Sequence, residues 1–478
     1  METDEVRKMI ITLKEPYKTI ADKINKISNQ NGYKCYLVGG FVRDVIMGVS
    51  SPDLDFIIDK EGDDNPATTF VNLLETQNIG DKTALYENFG TAKIEVDGFK
   101  IEFVMPRGEK YIEGSRNPVV EKVDLKGDAI RRDFTVNTLM LNLDTYEVID
   151  PTNRGIHDIE NKILHSAKPD VNQMFIDDPL RLLRAVRFSA CKGFEIGEGL
   201  KTGIIINAAR IKDISQERIR EELDKILMAV DGEEIWNSTV MLALVPHFLP
   251  ELFALIACKE SEPYHWIEST YRHTIRSVYN CPPNLDIRRA ALFHDIGKPK
   301  THTIDENGKA HFYGHEIEGI KITEQIMSRL TYSNEDIKKV VLLVKYHMRP
   351  HLYHEEGKYA WSDKAVRKFI IETGDLLNLV LDLAEADSMG SSAEERVIEN
   401  LDRINSLKTR ISKIKDKLII KKPIINGDKL KEIYGKPSGE WIGEIIRYQM
   451  EILYETPEIS VGELEYKILQ KFPKEEVK

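Results

Sequence analysis

The chain has 478 residues, 41% hydrophobic and 31% charged, with a formal net charge of −12. That length accommodates about three domains, each able to bury a core. The acidic balance excludes a protein that coats nucleic acid by bulk charge, no apolar run is long enough to span a bilayer, and residues 1–10 lack the apolar stretch of a secretory signal.

The four cysteines, Cys35, Cys191, Cys258 and Cys281, form no CxxC pair. This argues against a disulfide framework or a zinc-thiolate site and fits a reducing, cytoplasmic location. Residues 1–31 read as an amphipathic helix, with Ile11, Leu13, Ile20, Ile24 and Ile27 spaced for one face. A short apolar strand at 35–38 is broken by Gly39 and Gly40; a helix follows at 41–47 and a strand at 54–58. Residues 92–96 and 100–105 form a hairpin around Asp97 and Gly98. Segments 134–143 and 146–149 extend the sheet. Beyond Asp178, periodic apolar stretches predict helix almost throughout. The expected fold class is α+β, a small mixed sheet followed by an all-α chain. The weakest stretches, and so the expected boundaries, lie near 151–155, 259–263 and 421–423. Residues 401–436 hold eleven Lys/Arg against four Asp/Glu, a local charge of +7, which suits either a solvated helix face or a grip on a phosphate backbone.

Two constellations carry chemistry. In the first, Gly39 and Gly40 sit between a strand and a helix, where the backbone can approach a ligand and free N–H groups attract anions. Arg43, in the first turn, can reach a phosphate. Asp53 and Asp55 are separated by one residue, so on a strand both carboxylates project from one face. Hard oxygen ligands of this kind suit Mg2+ together with substrate phosphates. Alone, the glycines read as a tight turn and Ser51-Pro52-Asp53 as a solvated one; together they read as a site. Pro179 suits the first position of a helix, which makes Asp178 its predicted N-cap.

In the second constellation, His273, His294-Asp295, His315, His347 and Asp387 follow one another through helical sequence, with Gly297 expected to end the helix that presents the His-Asp pair. His302, His311, His351 and His354 lie nearby as alternatives. A lone His-Asp pair is more often structural; the ordered set points to a divalent metal.

The segments Leu37-Val38-Gly39-Gly40-Phe41-Val42-Arg43-Asp44, Asp53-Leu54-Asp55 and Arg131-Arg132-Asp133-Phe134-Thr135-Val136-Asn137 resemble the motifs of class II CCA-adding enzymes and bacterial poly(A) polymerases, within the polymerase-beta nucleotidyltransferase superfamily. The resemblance implies that Asp53 and Asp55 are catalytic and hold Mg2+. It implies that Gly39, Gly40 and Arg43 bind the triphosphate, and that Arg132, Asp133 and Asn137 contact the ribose and phosphates. Glu102 is a candidate third carboxylate. Asp177-Asp178-Pro179-Leu180-Arg181, with Arg184 and Arg187, resembles the base-reading motif, with Asp177 standing where the family has Glu. Asp178 and Arg181 would then accept from and donate to the edge of cytosine or adenine in place of a template. Glu217, Arg218 and Glu221 resemble the supporting motif. The histidine and aspartate series resembles the HD phosphohydrolase superfamily, which implies a metal site at His273, His294, Asp295 and Asp387, with His315 and His347 at a second metal or a phosphate. Ni2+ or Mn2+ are candidate ions.

The implied parts are a nucleotidyltransferase head (1–150), a neck that binds nucleobase and RNA (151–258), an HD domain (259–395) and a basic, helical, RNA-binding tail (396–478). The implied activity is addition of C, C and A to a tRNA 3′ end from CTP and ATP, with no membrane or obligatory protein partner. Alternatives are A-only or CC-only addition, poly(A) synthesis, or an HD phosphohydrolase with an RNA-binding head.

Overall fold

The computed structural model describes residues 9–50, 54–110, 119–258, 269–391, 393–415, 423–456 and 459–474. The chain divides into two compact units, Met1–Phe248 and Leu249–Lys478. The expected boundaries at 150/151 and 395/396 fall inside them, and residues 259–263, with 421 and 422, lie outside the described residues.

In the first unit the elements are β1 (Met9–Ile10), α1 (Tyr17–Gln30), β2 (Lys34–Val38), α2 (Gly40–Ile46), β3 (Leu54–Asp59), α3 (Pro66–Thr76), β4 (Asp81–Tyr86), β5 (Thr91–Val96), β6 (Phe99–Val104), β7 (Arg107–Lys110), β8 (Val119–Lys122), α4 (Leu125–Arg131), β9 (Met140–Asn142) and β10 (Glu147–Ile149). Helices and short strands follow: α5 (Gly155–Glu160), β11 (Ile163–Leu164), α6 (Val171–Asp177), α7 (Arg181–Lys192), β12 (Glu195–Ile196), α8 (Glu198–Asn207), α9 (Gln216–Leu227), α10 (Glu233–Trp236) and α11 (Thr239–Phe248). Eight strands form one mixed sheet in the order β1-β10-β9-β2-β3-β6-β5-β4, with β3 and β6 parallel.

The helix expected over 1–31 is shorter. Met9 and Ile10 instead pair with Val148 and Glu147 as an edge strand, and the helix starts only after Pro16, which lacks an N–H and cannot sit in a helix interior. Ile20, Ile24 and Ile27 still form its buried face. The 92–96/100–105 hairpin forms as β5 and β6, with Asp97 and Gly98 both at positive φ in the turn. One side of the sheet is filled by a chain of rings, Phe56–Phe103, Phe103–Phe70 and Phe70–Tyr33, at centroid separations of 5.3, 5.2 and 5.1 Å. Each such buried side chain contributes about 1.5–3 kcal/mol. On the other side Val38, Ile57 and Met140 pack with Ala129 of α4.

In the second unit the elements are α12 (Pro250–Ala254), α13 (Thr270–Asn280), α14 (Leu285–Phe293), α15 (Lys298–Thr301), β13 (Thr303–Ile304), β14 (Ala310–His311), α16 (His315–Arg329), α17 (Asn334–Tyr346), α18 (Asp363–Thr373), α19 (Leu377–Met389) and α20 (Glu394–Lys415). The tail adds α21 (Gly427–Tyr434), α22 (Glu440–Glu455) and α23 (Val461–Lys471), closed around Ile425, Leu430, Trp441, Ile445, Leu464 and Ile468.

Candidate functional site

Strand register assembles the head site. Leu37 of β2 pairs with Phe56 of β3, which leaves Asp55 one position further on, at the end of the sheet where Gly39 begins the turn. Asp55 also pairs with Glu102 of parallel β6, so the two carboxylates stand side by side on one face. Lys93 lies 2.8 Å from Glu102. Its ammonium is held protonated above the usual lysine range chiefly by Glu102, with a smaller contribution from Asp55. Asp53 lies outside the described residues.

Gly39 has φ +69°, a left-handed conformation that favours glycine, and a Cβ there would meet the Arg132 guanidinium at 3.1 Å. Its N–H donates to the Leu139 carbonyl, and Gly40 opens α2. Arg43, buried, donates to the Asn137 side-chain oxygen and, through Nε, to Asp44 at 2.9 Å. Asn137 donates to Asp133 Oδ1 at 2.8 Å, and Arg184 Nε donates to Asp133 Oδ2 at 2.8 Å. Burial alone would raise the Asp133 pKa, but the Arg184 guanidinium and the Asn137 amide hold it well below the usual carboxylate range. Arg132 Nε donates to fully buried Asp128 at 3.0 Å, and Arg131 ion-pairs with the same carboxylate. The Arg131-Arg132-Asp133 cluster is therefore internal, not a surface ion pair.

The expected N-cap bond at Asp178 forms, although the regular turns of the helix start later. Asp178 terminates α6, its carboxylate accepts from the Leu180 N–H at 3.1 Å, and α7 begins two residues after Pro179. The Arg181 N–H donates to the Asp178 carbonyl at 3.1 Å, so the two residues lie one turn apart. Arg181 is buried and donates to the Arg131 and Met174 carbonyls. Arg218 pairs with Asp178 at 3.1 Å. Arg187 pairs with buried Glu222 at 2.6 Å, whereas Glu217 and Glu221 are exposed, so the support to α7 comes from the residue next to the expected one. Asp177 is engaged by Lys168 and Gln173.

In the second unit, six side chains from five elements and their ends converge. His273 Nε2 lies 2.9 Å from Asp387 Oδ1 and 3.6 Å from Asp295 Oδ2. His294 Nε2 lies 3.3 Å from Asp295 Oδ2 and 3.4 Å from Asp387 Oδ1. His315 Nε2 is 3.5 Å from Asp295 Oδ1 and 3.3 Å from His347 Nε2. Two groups, His273/His294/Asp295 and Asp295/His315/His347, therefore share one carboxylate, with candidate ligand atoms within 4.8 Å of one another.

The tautomers follow from geometry. Nδ1 of His294, His315 and His347 each contacts a backbone carbonyl three residues earlier, of Ala291, Phe312 and Val344. A carbonyl only accepts, so Nδ1 donates and Nε2 is the atom turned to the cluster, as a metal ligand requires. Burial disfavours charge on His294, yet Asp295 and Asp387 raise it well above the usual imidazole value, so its Nε2 carries a proton that a bound metal would displace. Burial and the neighbouring His294 and His315 push His347 down to about 3, keeping it neutral. Burial disfavours charge on Asp295, yet the adjacent His294 and Lys298 hold its carboxyl well below the usual range. The donor set, imidazole nitrogen with carboxylate oxygen, fits a divalent transition metal.

Gly297 does not end the helix in a left-handed conformation. Helix α14 stops at Phe293, and a Cβ at Gly297 would lie 2.1 Å from the His315 carbonyl oxygen, so glycine is needed for the close approach of α16. His351, named above only as an alternative, contacts Asp387 Oδ2 at 2.9 Å. Lys298, 2.8 Å from Asp295, is a further neighbour outside the expected set.

Residues 35–165 match the family of the Poly A polymerase head domain, residues 193–256 the "Probable RNA and SrmB- binding site of polymerase A", and residues 271–406 the HD domain. The chain is 34% identical over 247 residues to the tRNA nucleotidyltransferase cca2 of Schizosaccharomyces pombe, a match spanning 48% of this chain and about half, 50%, of that protein. It is 26% identical to the A-adding tRNA nucleotidyltransferase of Deinococcus radiodurans, across 86% of this chain and 89% of that one. In fold it is similar to the Bacillus stearothermophilus CCA-adding enzyme in complex with CTP, with a TM-score of 0.62, 19% identity, and coverage of 97% and 99% of the two chains. A chain with this head, this helical neck and this histidine-aspartate cluster belongs to the family of class II CCA-adding enzymes and bacterial poly(A) polymerases, and carries an HD domain.

Proposed function

We propose that the protein is a tRNA nucleotidyltransferase that adds C, C and A to the tRNA 3′ end from CTP and ATP. The observation that carries this reading is the pairing of Asp55 with Glu102 at the end of the sheet where Gly39 precedes α2, beside an Arg43 anchored on Asn137. Asp53 and Asp55 are the proposed Mg2+ ligands, with Glu102 as the third carboxylate; the bound ion would activate the attacking hydroxyl and neutralise the leaving group. The RNA 3′ hydroxyl attacks the α-phosphorus, the α–β phosphoanhydride breaks, and pyrophosphate leaves. Gly39, Gly40 and Arg43 receive the triphosphate, while Arg132, Asp133 and Asn137 set its ribose and phosphates. Asp178, Arg181, Arg184 and Arg187 read the base. Because Arg181 is bonded to two backbone carbonyls, base reading requires it to exchange those partners for the nucleotide edge.

The parts act as a head at 1–150, a neck at 151–258, an HD domain at 259–395 and a tail at 396–478 whose basic stretch grips the RNA backbone. In the HD domain, His273, His294, Asp295 and Asp387 hold Ni2+ or Mn2+, with His315 and His347 completing a second position. The chemistry that suits it is hydrolysis of a phosphoester such as a cyclic 2′,3′-phosphate on a damaged RNA end. The location is cytoplasmic; among the described residues no helix is long and apolar enough to cross a membrane.

The test incubates the protein with Mg2+, a tRNA lacking its terminal CCA, and CTP and ATP singly and together. Growth by CCA only with both nucleotides is expected. Growth with ATP alone, which the similarity to an A-adding relative favours as the second reading, would select a restricted enzyme, as would arrest after CC. Absence of any growth would leave the HD phosphohydrolase with an RNA-binding head.

A further inference from the structure

The nucleotide-side residues of the head are joined in a closed ring whose two ends both lie on α7. Arg184 of α7 donates to Asp133, Asp133 accepts from Asn137, and Asn137 accepts from Arg43. Arg43 donates to Asp44, and Asp44 accepts from Lys192 at 3.2 and 3.3 Å, back on the last turn of α7. Arg184, Phe188 and Lys192 are spaced i, i+4 and i+8, one stripe of that helix. Phe188, buried at 3% exposure, sits among the ring's guanidinium groups: its centroid is 4.7 Å from Arg187, 5.0 Å from Arg43 and 5.8 Å from Arg184. Its edge is fixed by Phe134 at 5.4 Å.

The charges are matched closely. Arg43, Arg184 and Arg187 each have a carboxylate, Asp44, Asp133 and Glu222, and Lys192 shares Asp44. Asp44 therefore lies between two cations, buried to the same 7% side-chain exposure as Arg43. A buried ring of this kind has few alternative arrangements, because every broken bond strands a desolvated charge.

We propose that Asp44, Phe188 and Lys192 are positioning residues that lock the base-reading helix α7 to the triphosphate-side Arg43, so that the fit of the base on α7 sets where Arg43 meets the phosphates. The inference rests on the nucleotidyltransferase reading above. None of the three residues needs to touch substrate. A nucleotide whose base fits poorly displaces α7, and Lys192 and Asp44 carry that displacement to Arg43.

The test is Lys192→Met in the full chain, with Lys192→Arg as the conservative variant. Lys192 is a quarter exposed (24%), so its loss is tolerated by the fold. The expected result is a rise of about tenfold in KM for both CTP and ATP. kcat and the KM for tRNA should stay close to wild type, and discrimination against UTP and GTP should fall by a similar factor. Lys192→Arg should restore both values. Phe188→Leu should reproduce the loss of discrimination, and Phe188→Tyr should not. Unchanged KM and unchanged discrimination in Lys192→Met, with a lowered melting temperature only, would overturn the proposal and leave the ion pair merely structural. Equilibrium affinities for CTP and ATP, measured on the same proteins, separate the two layers. If the wild type binds nucleotides but extends no RNA, the reading fails, and a Lys192→Met affinity about tenfold weaker still supports the ring, while an equal affinity overturns it. A wild type that neither extends RNA nor binds nucleotide overturns both.

Discussion

Asp133, one of the proposed nucleotide-binding residues, is also held by the fold. It is buried, yet one oxygen meets Arg184 and the other accepts from Asn137 and from the Phe134 N–H. Its pKa is depressed on folding, so its stabilisation is complete above the unfolded carboxyl value of about 3.9 and is lost as pH falls through the folded one. Asp133→Asn is expected to cost about 3 kcal/mol at neutral pH. In urea melts the difference from wild type should be constant above about pH 5 and shrink below about pH 4; a pH-independent difference would contradict the assignment. The sequence marked Asp133 through its place in a motif, but not its partner 51 residues away. Asp128 and Glu222 were missed for the same reason. Each is a carboxylate whose role is defined by the arginines it meets, and only Asp128, three and four residues before Arg131 and Arg132, carried a local spacing signal.

At the scale of elements, glycines mark where backbones must come close. Gly297→Ala would drive a methyl group into the His315 carbonyl and push the start of α16 outward. The expected outcome is loss of divalent metal from the HD domain, read by elemental analysis, with destabilisation of about 1–3 kcal/mol; full metal occupancy would refute the packing argument. In the tail, Gln449 is fully buried and bonds both the N–H and the carbonyl of Ile425. Gln449→Met should cost about 2–4 kcal/mol by stranding both groups and should raise amide exchange around α21 and α22; unaltered exchange would show that the bonds are replaced. Periodicity read α1 correctly on its buried face but extended it too far, because the edge pairing of Met9 and Ile10 with β10 depends on residues nearly 140 positions away. The helix start at Pro179 was legible from local chemistry. Asp178 accepts from the Leu180 N–H as an N-cap does, and only the regular turns of α7 wait for Arg181.

At the scale of the whole molecule, the two chemistries lie in different compact units, the carboxylate-bearing sheet in the first and the histidine cluster in the second. The convergence of the histidine and aspartate series was legible from its order along the helices, and in the head Asp55 meets Glu102 across β3 and β6, while Asp53 lies outside the described residues. What joins them to their surroundings was less legible, since the His351–Asp387 and Asp44–Lys192 pairs depend on tertiary contacts, whereas Lys298, three residues after Asp295, carried a local spacing signal. His294→Ala is expected to remove bound transition metal while CCA addition continues; loss of addition would show that the two sites are not separable. The most direct measurement of the central claim is single-turnover extension of a tRNA lacking CCA by the wild type, Asp53→Ala and Asp55→Ala, with melting temperatures taken alongside. The account predicts a rate lower by about a thousandfold or more in both variants with the fold intact. Normal turnover in either would contradict it.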